Sequence, residues 1–430
     1  MPMSKDFKKR LYLKLPDIVE HFGTPFHIYD EKGIIQTGEE VKNYFSEVSG
    51  FQEFFAVKAN PNFKILKIMK ELGFGFDCSS IPELILARQT GAQPEKIMLS
   101  SNNTSLEEFG WAAKDGGCIL NLDDITMIDK VPGPFPELIC FRYNPGKQRT
   151  GNSIIGDPAE SKYGVRHDQI VDAYRLAIER GAKRFGLHTM ICSNQPKLRY
   201  MVETVEMLLE IVEMISTKLN IKFEFINMGG GIAIPYKPKD KFFNMSALAN
   251  ATKRLLAEFE QKFWYKPKFY MESGRYMTGP HGVLVTKVIN RMSKYKEFVG
   301  VDASCISSMM RPAIYYPDGG YHHISVFEKN DGPFEIVNVN VVGSACENND
   351  QFGRDRELPK ISEGDIVLIH DTGAHCYAMA SNYNGRLRPK ELILREDGDV
   401  SLIRRAETIN DYFRTQSDFT PEVLRFLEKK

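Results

Sequence analysis

Three short stretches of this 430-residue sequence carry side chains whose types could do covalent chemistry together. In EFFAVKA, residues 53–59, Lys58 follows Phe54, Phe55, Ala56 and Val57. A lysine among buried apolar neighbours is costly to keep charged, so the expectation is a lowered pKa and a nucleophilic amine suited to a Schiff base. The run Gly229-Gly230-Gly231 offers bare backbone that can surround a phosphate. Glu272, at the end of KFYMES, could hold the nitrogen of a pyridine ring in its protonated form. That ring would then be a strong electron sink for the carbanion left by departing CO₂, whereas an arginine there would suit racemisation. Taken singly, the three are an ordinary strand-end lysine, a flexible turn and a surface carboxylate. Position is what joins them.

Eight apolar, often β-branched or aromatic runs position these residues: EFFAVKA (53–59), FGFDCSS (74–80), KIMLSS (96–101), CILNL (118–122), ICFRYN (139–144), FGLHTMI (185–191), FEFINM (223–228) and KFYMES (268–273). Amphipathic stretches lie between them, several ended by glycine as helix C-caps are. Eight βα units within about 220 residues predict a parallel (β/α)₈ TIM-type barrel, with a doubly wound open sheet as the rival. The active site of such a barrel forms at the C-terminal ends of its strands. Lys58, Asp77, Arg142, His188, Ser193, Gly229–Gly231, Glu272 and Arg275 all fall there.

Past residue 285 the pattern turns to strand-like pieces separated by Gly, Pro, Asp and Asn turns, which predicts a second, antiparallel β-domain. TPFHIYDEKGI (24–34) is strand-like as well and is expected to join it. The expected organisation is therefore an N-terminal segment 1–45 contributing to the β-domain, a barrel 46–284 and a C-terminal β-domain 285–430.

Lys plus Arg (56) balance Asp plus Glu (56), so no net field favours nucleic acid or an anionic membrane, and a small-molecule substrate is expected. No apolar run approaches the length of a spanning helix, and the charged N-terminus lacks the apolar core of a signal peptide. The seven cysteines are scattered without a CxxC pair, which points to a reducing cytoplasm and to no metal site.

FAVKANPN (55–62), GFDCSSIPEL (75–84), NMGGGIAIPY (227–236), ESGRYMTGP (272–280), MRPAIYYP (310–317), CENND (346–350) and DTGAHCYAMASNYNGRLRP (371–389) resemble diaminopimelate decarboxylase, of the pyridoxal-phosphate-dependent decarboxylases with an alanine-racemase-like fold. The likeness runs in order along nearly the whole chain. It implies a lyase of lysine biosynthesis that decarboxylates meso-diaminopimelate to L-lysine. It also implies that Lys58 carries pyridoxal 5'-phosphate as a Schiff base, that Glu272 faces the pyridinium, and that Gly229–Gly231 with Gly274 hold the phosphate. Asp77, His188, Ser193, Arg275 and His375 are implied beside the cofactor. Cys346 is implied as the second catalytic group, protonating the carbanion from the partner subunit of a homodimer with composite active sites. Arg275, Arg311, Tyr315 and Glu347 are implied to bind the distal amino and carboxylate groups. A zwitterionic distal end does need both cationic and anionic partners.

Two departures matter. Met190 stands where the strand-six motif usually has a second histidine, and His375 where the family has a tyrosine. A related decarboxylase acting on another amino acid with a polar distal end is therefore the alternative. Glu272 and CENND argue against a racemase, and Lys58, the glycines and Cys346 together argue against a silent homologue that only binds a partner.

Overall fold

The structure, a computed structural model, describes residues 3–317, 319–329 and 333–417. The chain forms two compact units: residues 35–235 with 241–277, and residues 1–34 with 236–240 and 278–430. The divisions fall at 34/35 and 277/278, not at 45/46 and 284/285. The helix Glu31–Tyr44 runs across the first expected boundary, and the strand Gly282–Ser293 begins before the second.

In the first unit all eight expected runs are strands: Gln52–Ala56, Gly75–Cys78, Ile97–Leu99, Ile119–Leu122, Leu138–Asn144, Arg184–His188, Phe223–Asn227 and Lys268–Met271. Each pairs in parallel with the next, and the eighth pairs back onto the first, closing the barrel. A two-residue piece, Val165–Arg166, adds to the edge of the fifth strand. Phe54, Met98, Ile119, Leu138, Cys140, Phe225 and Tyr270, from six different strands, meet in one buried cluster. Since they come from all round the closed sheet, the interior is a packed core and not a pore. Phe225 stacks on Tyr270 with ring centres 4.4 Å apart.

The helices wrapping these strands follow from apolar spacing and caps. Phe63–Glu71 buries Ile65, Leu66, Ile68 and Met69, and its N-cap Asn62 accepts the Lys64 amide at 3.0 Å. That cap fixes the chain immediately beyond Lys58.

Among the described residues, the second unit is built on a nine-stranded sheet. Most of its pairings are antiparallel, as expected. Two are parallel, Phe26–Asp30 with Lys390–Leu394 and Glu297–Val301 with Ile336–Val342, so the sheet is mixed. The N-terminal strand Phe26–Asp30 lies inside this sheet, between Gly282–Ser293 and Lys390–Leu394. Helix Lys5–Phe22, capped by Ser4, covers it with Phe7, Leu11, Leu15 and Ile18, one face at helical spacing. No helix among the described residues is long and apolar enough to cross a membrane.

Candidate active site

The first barrel strand ends at Ala56, and Lys58 sits in the single 3-10 turn Val57–Ala59 beyond it. Register between the first two strands sets Ala56 opposite Asp77, so the buried Asp77 carboxylate lies beside the lysine. Lys58 Nζ donates to Asp77 Oδ2 at 2.8 Å, and the lysine side chain keeps 45 % of its exposure. This overturns the expected lowered pKa. Burial does pull the amine down, but the Asp77 carboxylate, followed by Glu272, outweighs it and holds Lys58 above the ordinary lysine value. Phe54 and Phe55 are buried in the strand, whereas the Lys58 side chain is partly exposed. Asp77 Oδ1 is buried and has no hydrogen-bond partner.

Glu272 lies directly after the eighth strand and is nearly as buried as His188, their side chains being 4 % and 2 % exposed. His188 and Asn227 end the sixth and seventh strands in register. From there His188 Nε2 reaches Glu272 Oε2 at 3.3 Å and Asn227 Nδ2 donates to Glu272 Oε1 at 2.8 Å. Burial pushes this carboxyl up, but the His188 ring, then Lys58 and Asn227, hold it below the usual glutamate value. The site therefore contains a fixed, ionised carboxylate. His188 Nδ1 is buried without a partner.

The Gly229–Gly231 run follows the seventh strand, with φ of +68° at Gly229 and +93° at Gly231. A Cβ at Gly230 would stand 2.2 Å from the Glu272 carbonyl oxygen, and one at Gly231 would stand 2.5 Å from that of Cys192. Glycine is thus required by the close approach of the loop to its own neighbours. Two of the three amides are engaged internally: Gly229 N–H donates to Asn227 Oδ1 at 2.9 Å and Gly230 N–H to Met190 Sδ at 3.3 Å. A thioether is a weak acceptor that a charged oxygen readily displaces. Met190 also lines a small, partly open pocket together with Arg142, Asn144, Ser161 and Tyr163. Arg275 Nη2 donates to Ser193 Oγ at 3.2 Å, and Gly274 packs so closely on Ala59 that a Cβ would stand 2.6 Å from it.

The remaining sequence-predicted residues belong to the second unit. Arg311 is buried, donates to the Gly319 carbonyl oxygen at 2.5 Å, and has its guanidinium 5.1 Å from the Tyr236 ring centre and 5.6 Å from that of Tyr315. No carboxylate pairs with it among the described residues; besides the Gly319 carbonyl and the two tyrosine rings, its Nε donates to His322 Nε2 at 3.4 Å. Cys346 is exposed, its amide held by Asn384 Oδ1, and Glu347 Oε1 accepts the Asn349 amide at 3.1 Å. His375 sits in the left-handed region at φ +55°.

Residues 34–279 match the family described as pyridoxal-dependent decarboxylase, pyridoxal binding domain. The chain belongs to the pyridoxal-dependent decarboxylases. This decarboxylase is similar to Protein TabA of Pseudomonas amygdali pv. tabaci, 44 % identical over 413 residues that make up 96 % of each chain. It is also similar to diaminopimelate decarboxylase of Methanothermobacter thermautotrophicus, 35 % identical over 408 residues, 93 % of each chain. The crystal structure of diaminopimelate decarboxylase from M. jannaschii in complex with L-lysine superposes with a TM-score of 0.85 at 28 % identity, covering 95 % of each chain. The decarboxylase is thus a carboxy-lyase that uses pyridoxal 5'-phosphate.

Its residues fit that group. A solvent-reached amine, an ionised carboxylate beside it, a glycine loop and two buried polar atoms without partners, Asp77 Oδ1 and His188 Nδ1, are brought together in the barrel unit. Sequence reasoning missed two members of this network. Asn227, which bonds both Glu272 and Gly229, directly precedes the NMGGG glycines with one residue between. Glu53 is the acidic residue that opens the run EFFAV.

Proposed function

We propose that this decarboxylase converts meso-diaminopimelate to L-lysine and CO₂, as a step of lysine biosynthesis in the cytoplasm. The observation that carries the chemistry is the ionised, buried Glu272 held between His188 and Asn227 in the same barrel unit as the Lys58–Asp77 pair. When bound, pyridoxal 5'-phosphate supplies a carbonyl that captures amines and a ring that accepts the electron pair left by CO₂.

The chain's own residues do the rest. Lys58 is the amine that would hold the cofactor, and Asp77 Oδ2, 2.8 Å from Nζ, is placed to hold the proton this amine must shed. Glu272, fixed by His188 and Asn227, would keep a negative charge against the ring nitrogen of the bound cofactor. Gly229–Gly231, Gly274, Ser193, Arg275 and His375 would take the phosphate and its surroundings. Arg311, buried and paired with no carboxylate among the described residues, suits a distal carboxylate, helped by Arg275 and Tyr315, and Glu347 suits a distal ammonium. The resemblance to diaminopimelate decarboxylases supports this substrate. Met190 and His375 favour one alternative, another diamino acid or an amino acid with a polar distal end.

A substrate panel tests the assignment. With meso-diaminopimelate, lysine, ornithine and arginine offered to the holoenzyme, kcat/KM for meso-diaminopimelate should exceed the others by about 10²-fold or more, since all four carry a distal cation but only meso-diaminopimelate carries the distal carboxylate that Arg311 is left to pair with. Faster turnover of another member would transfer the assignment to that substrate.

The working unit in this reading is a homodimer in which Cys346 of the partner subunit holds the proton delivered to the α-carbon. Mixing inactive Lys58→Ala and Cys346→Ala subunits should then restore activity at up to about one quarter of all sites under random exchange. Demonstrated exchange without recovery would place both residues on one chain.

A further inference from the structure

We propose that Glu53 is a positioning residue for Glu272: from the outer face of the first barrel strand it anchors the Glu272–Ser273–Gly274 turn and so sets where the Glu272 carboxylate stands. The proposal rests on the reading that Glu272 faces the cofactor ring.

Phe54 belongs to the interior cluster, and successive side chains on a strand alternate, so Glu53 points away from the interior. It is fully buried nonetheless. Parallel pairing of the first and eighth strands ends where Glu53 stands opposite Met271, which leaves the Ser273 amide beyond the ladder. Glu53 Oε1 accepts that amide. The same turn is tied to the glycine loop, since Glu272 N–H donates to the Gly229 carbonyl at 2.9 Å. There is no slack on either side: a Cβ at Gly230 would meet the Glu272 carbonyl and one at Gly274 the Ala59 methyl. Loss of the Glu53 anchor is therefore transmitted to Glu272.

A buried carboxyl with a second oxygen, Oε2, left without a partner is a costly way to bind one amide. Burial, then the nearby Glu272 charge, raises its pKa to about 8 despite the Ser273 amide. Two neighbouring carboxyls are thus pushed apart, Glu272 ionised and Glu53 neutral at pH 7. Glu272, from the end of the eighth strand, is the charged group acting on Glu53 among the described residues, and Gln52 on its own strand presents only a neutral amide. Below about pH 8 the anchor adds no charge, and above it a second anion appears beside Glu272.

The test uses Glu53→Gln and Glu53→Leu holoenzymes loaded with pyridoxal 5'-phosphate, read by cofactor absorbance against pH and by kcat and KM on the substrate that the panel selects. Glu53→Gln keeps the acceptor oxygen and should hold kcat within about 3-fold at pH 7, while losing whatever absorbance change Glu53 ionisation, expected near pH 8, imposes on the wild type. Glu53→Leu removes the acceptor and should cut kcat by about 10- to 10²-fold with KM little changed and the cofactor band shifted, as misplacement of a catalytic group does. A Glu53→Leu holoenzyme with wild-type kcat and spectrum overturns the proposal. So does a Glu53→Gln holoenzyme whose kcat falls as far as that expected of Glu53→Leu although the acceptor oxygen is kept, and this arm decides the matter even if the leucine variant does not fold. If Glu272→Ala itself leaves kcat and spectrum unchanged, the underlying reading has failed; if Glu272→Ala is impaired and the Glu53 variants are not, only the inference has failed.

Discussion

Lys58→Ala is expected to abolish turnover, by up to about 10⁶-fold, the scale seen when a covalent catalyst is deleted. It should also abolish the cofactor linkage that borohydride reduces, because Lys58 is the amine held beside Asp77 in the turn after the first barrel strand. The variant should still fold. It leaves Asp77, a fully buried carboxylate, without the cation 2.8 Å away, and such an uncompensated charge is costly. Because the lysine side chain is 45 % exposed, water screens much of that cost, so a fall in Tm of a few degrees is expected rather than collapse. Mass spectrometry after reduction and a kinetic assay decide the matter: a Lys58→Ala protein that keeps both linkage and rate removes Lys58 from the mechanism.

Glu272→Ala is expected to lower kcat by about 10²- to 10³-fold, the range for losing one preorganised charge in a dry site, while cofactor is retained or bound more weakly. The effect should fall on kcat more than on KM, since the charge is needed most when electrons flow into the ring. Structure adds a second consequence. His188 Nε2 and Asn227 Nδ2 would both lose their acceptor in a buried setting, each at about 1–3 kcal/mol. Glu272→Gln retains an acceptor for Asn227 without the charge. It should therefore recover stability but not rate, and equal rates for wild type and Glu272→Gln would show that this side chain does not face the ring.

Much of the barrel is readable in the sequence because its strands are buried on both faces and stand out as apolar runs between amphipathic helices. The same periodicity puts Lys58, Asp77, His188, Ser193 and Glu272 at or near strand ends. What it does not contain is the contact across strands. Lys58 is raised rather than lowered because Asp77, nineteen positions away in sequence, is brought to 2.8 Å by parallel register. Asn227 looks like a loop asparagine until its register with His188 aims it at Glu272. Glu53 looks like a strand-start acid that should reach water; it is buried instead, and only the end of its pairing with the eighth strand reveals the Ser273 amide that it accepts. The mixed character of the second sheet escapes for a similar reason: Phe26–Asp30 pairs with Lys390–Leu394 across more than 350 residues, a distance over which strand pattern says nothing of direction.

The reaction itself can be followed atom by atom. In D₂O the holoenzyme should convert meso-diaminopimelate to equimolar CO₂ and L-lysine, the carbon that lost the carboxylate gaining one deuteron in its place, with no reaction in Lys58→Ala. Return of diaminopimelate carrying deuterium at its α-carbon, with the carboxylate intact and no CO₂ released, would contradict decarboxylation and assign the site to proton exchange at that carbon.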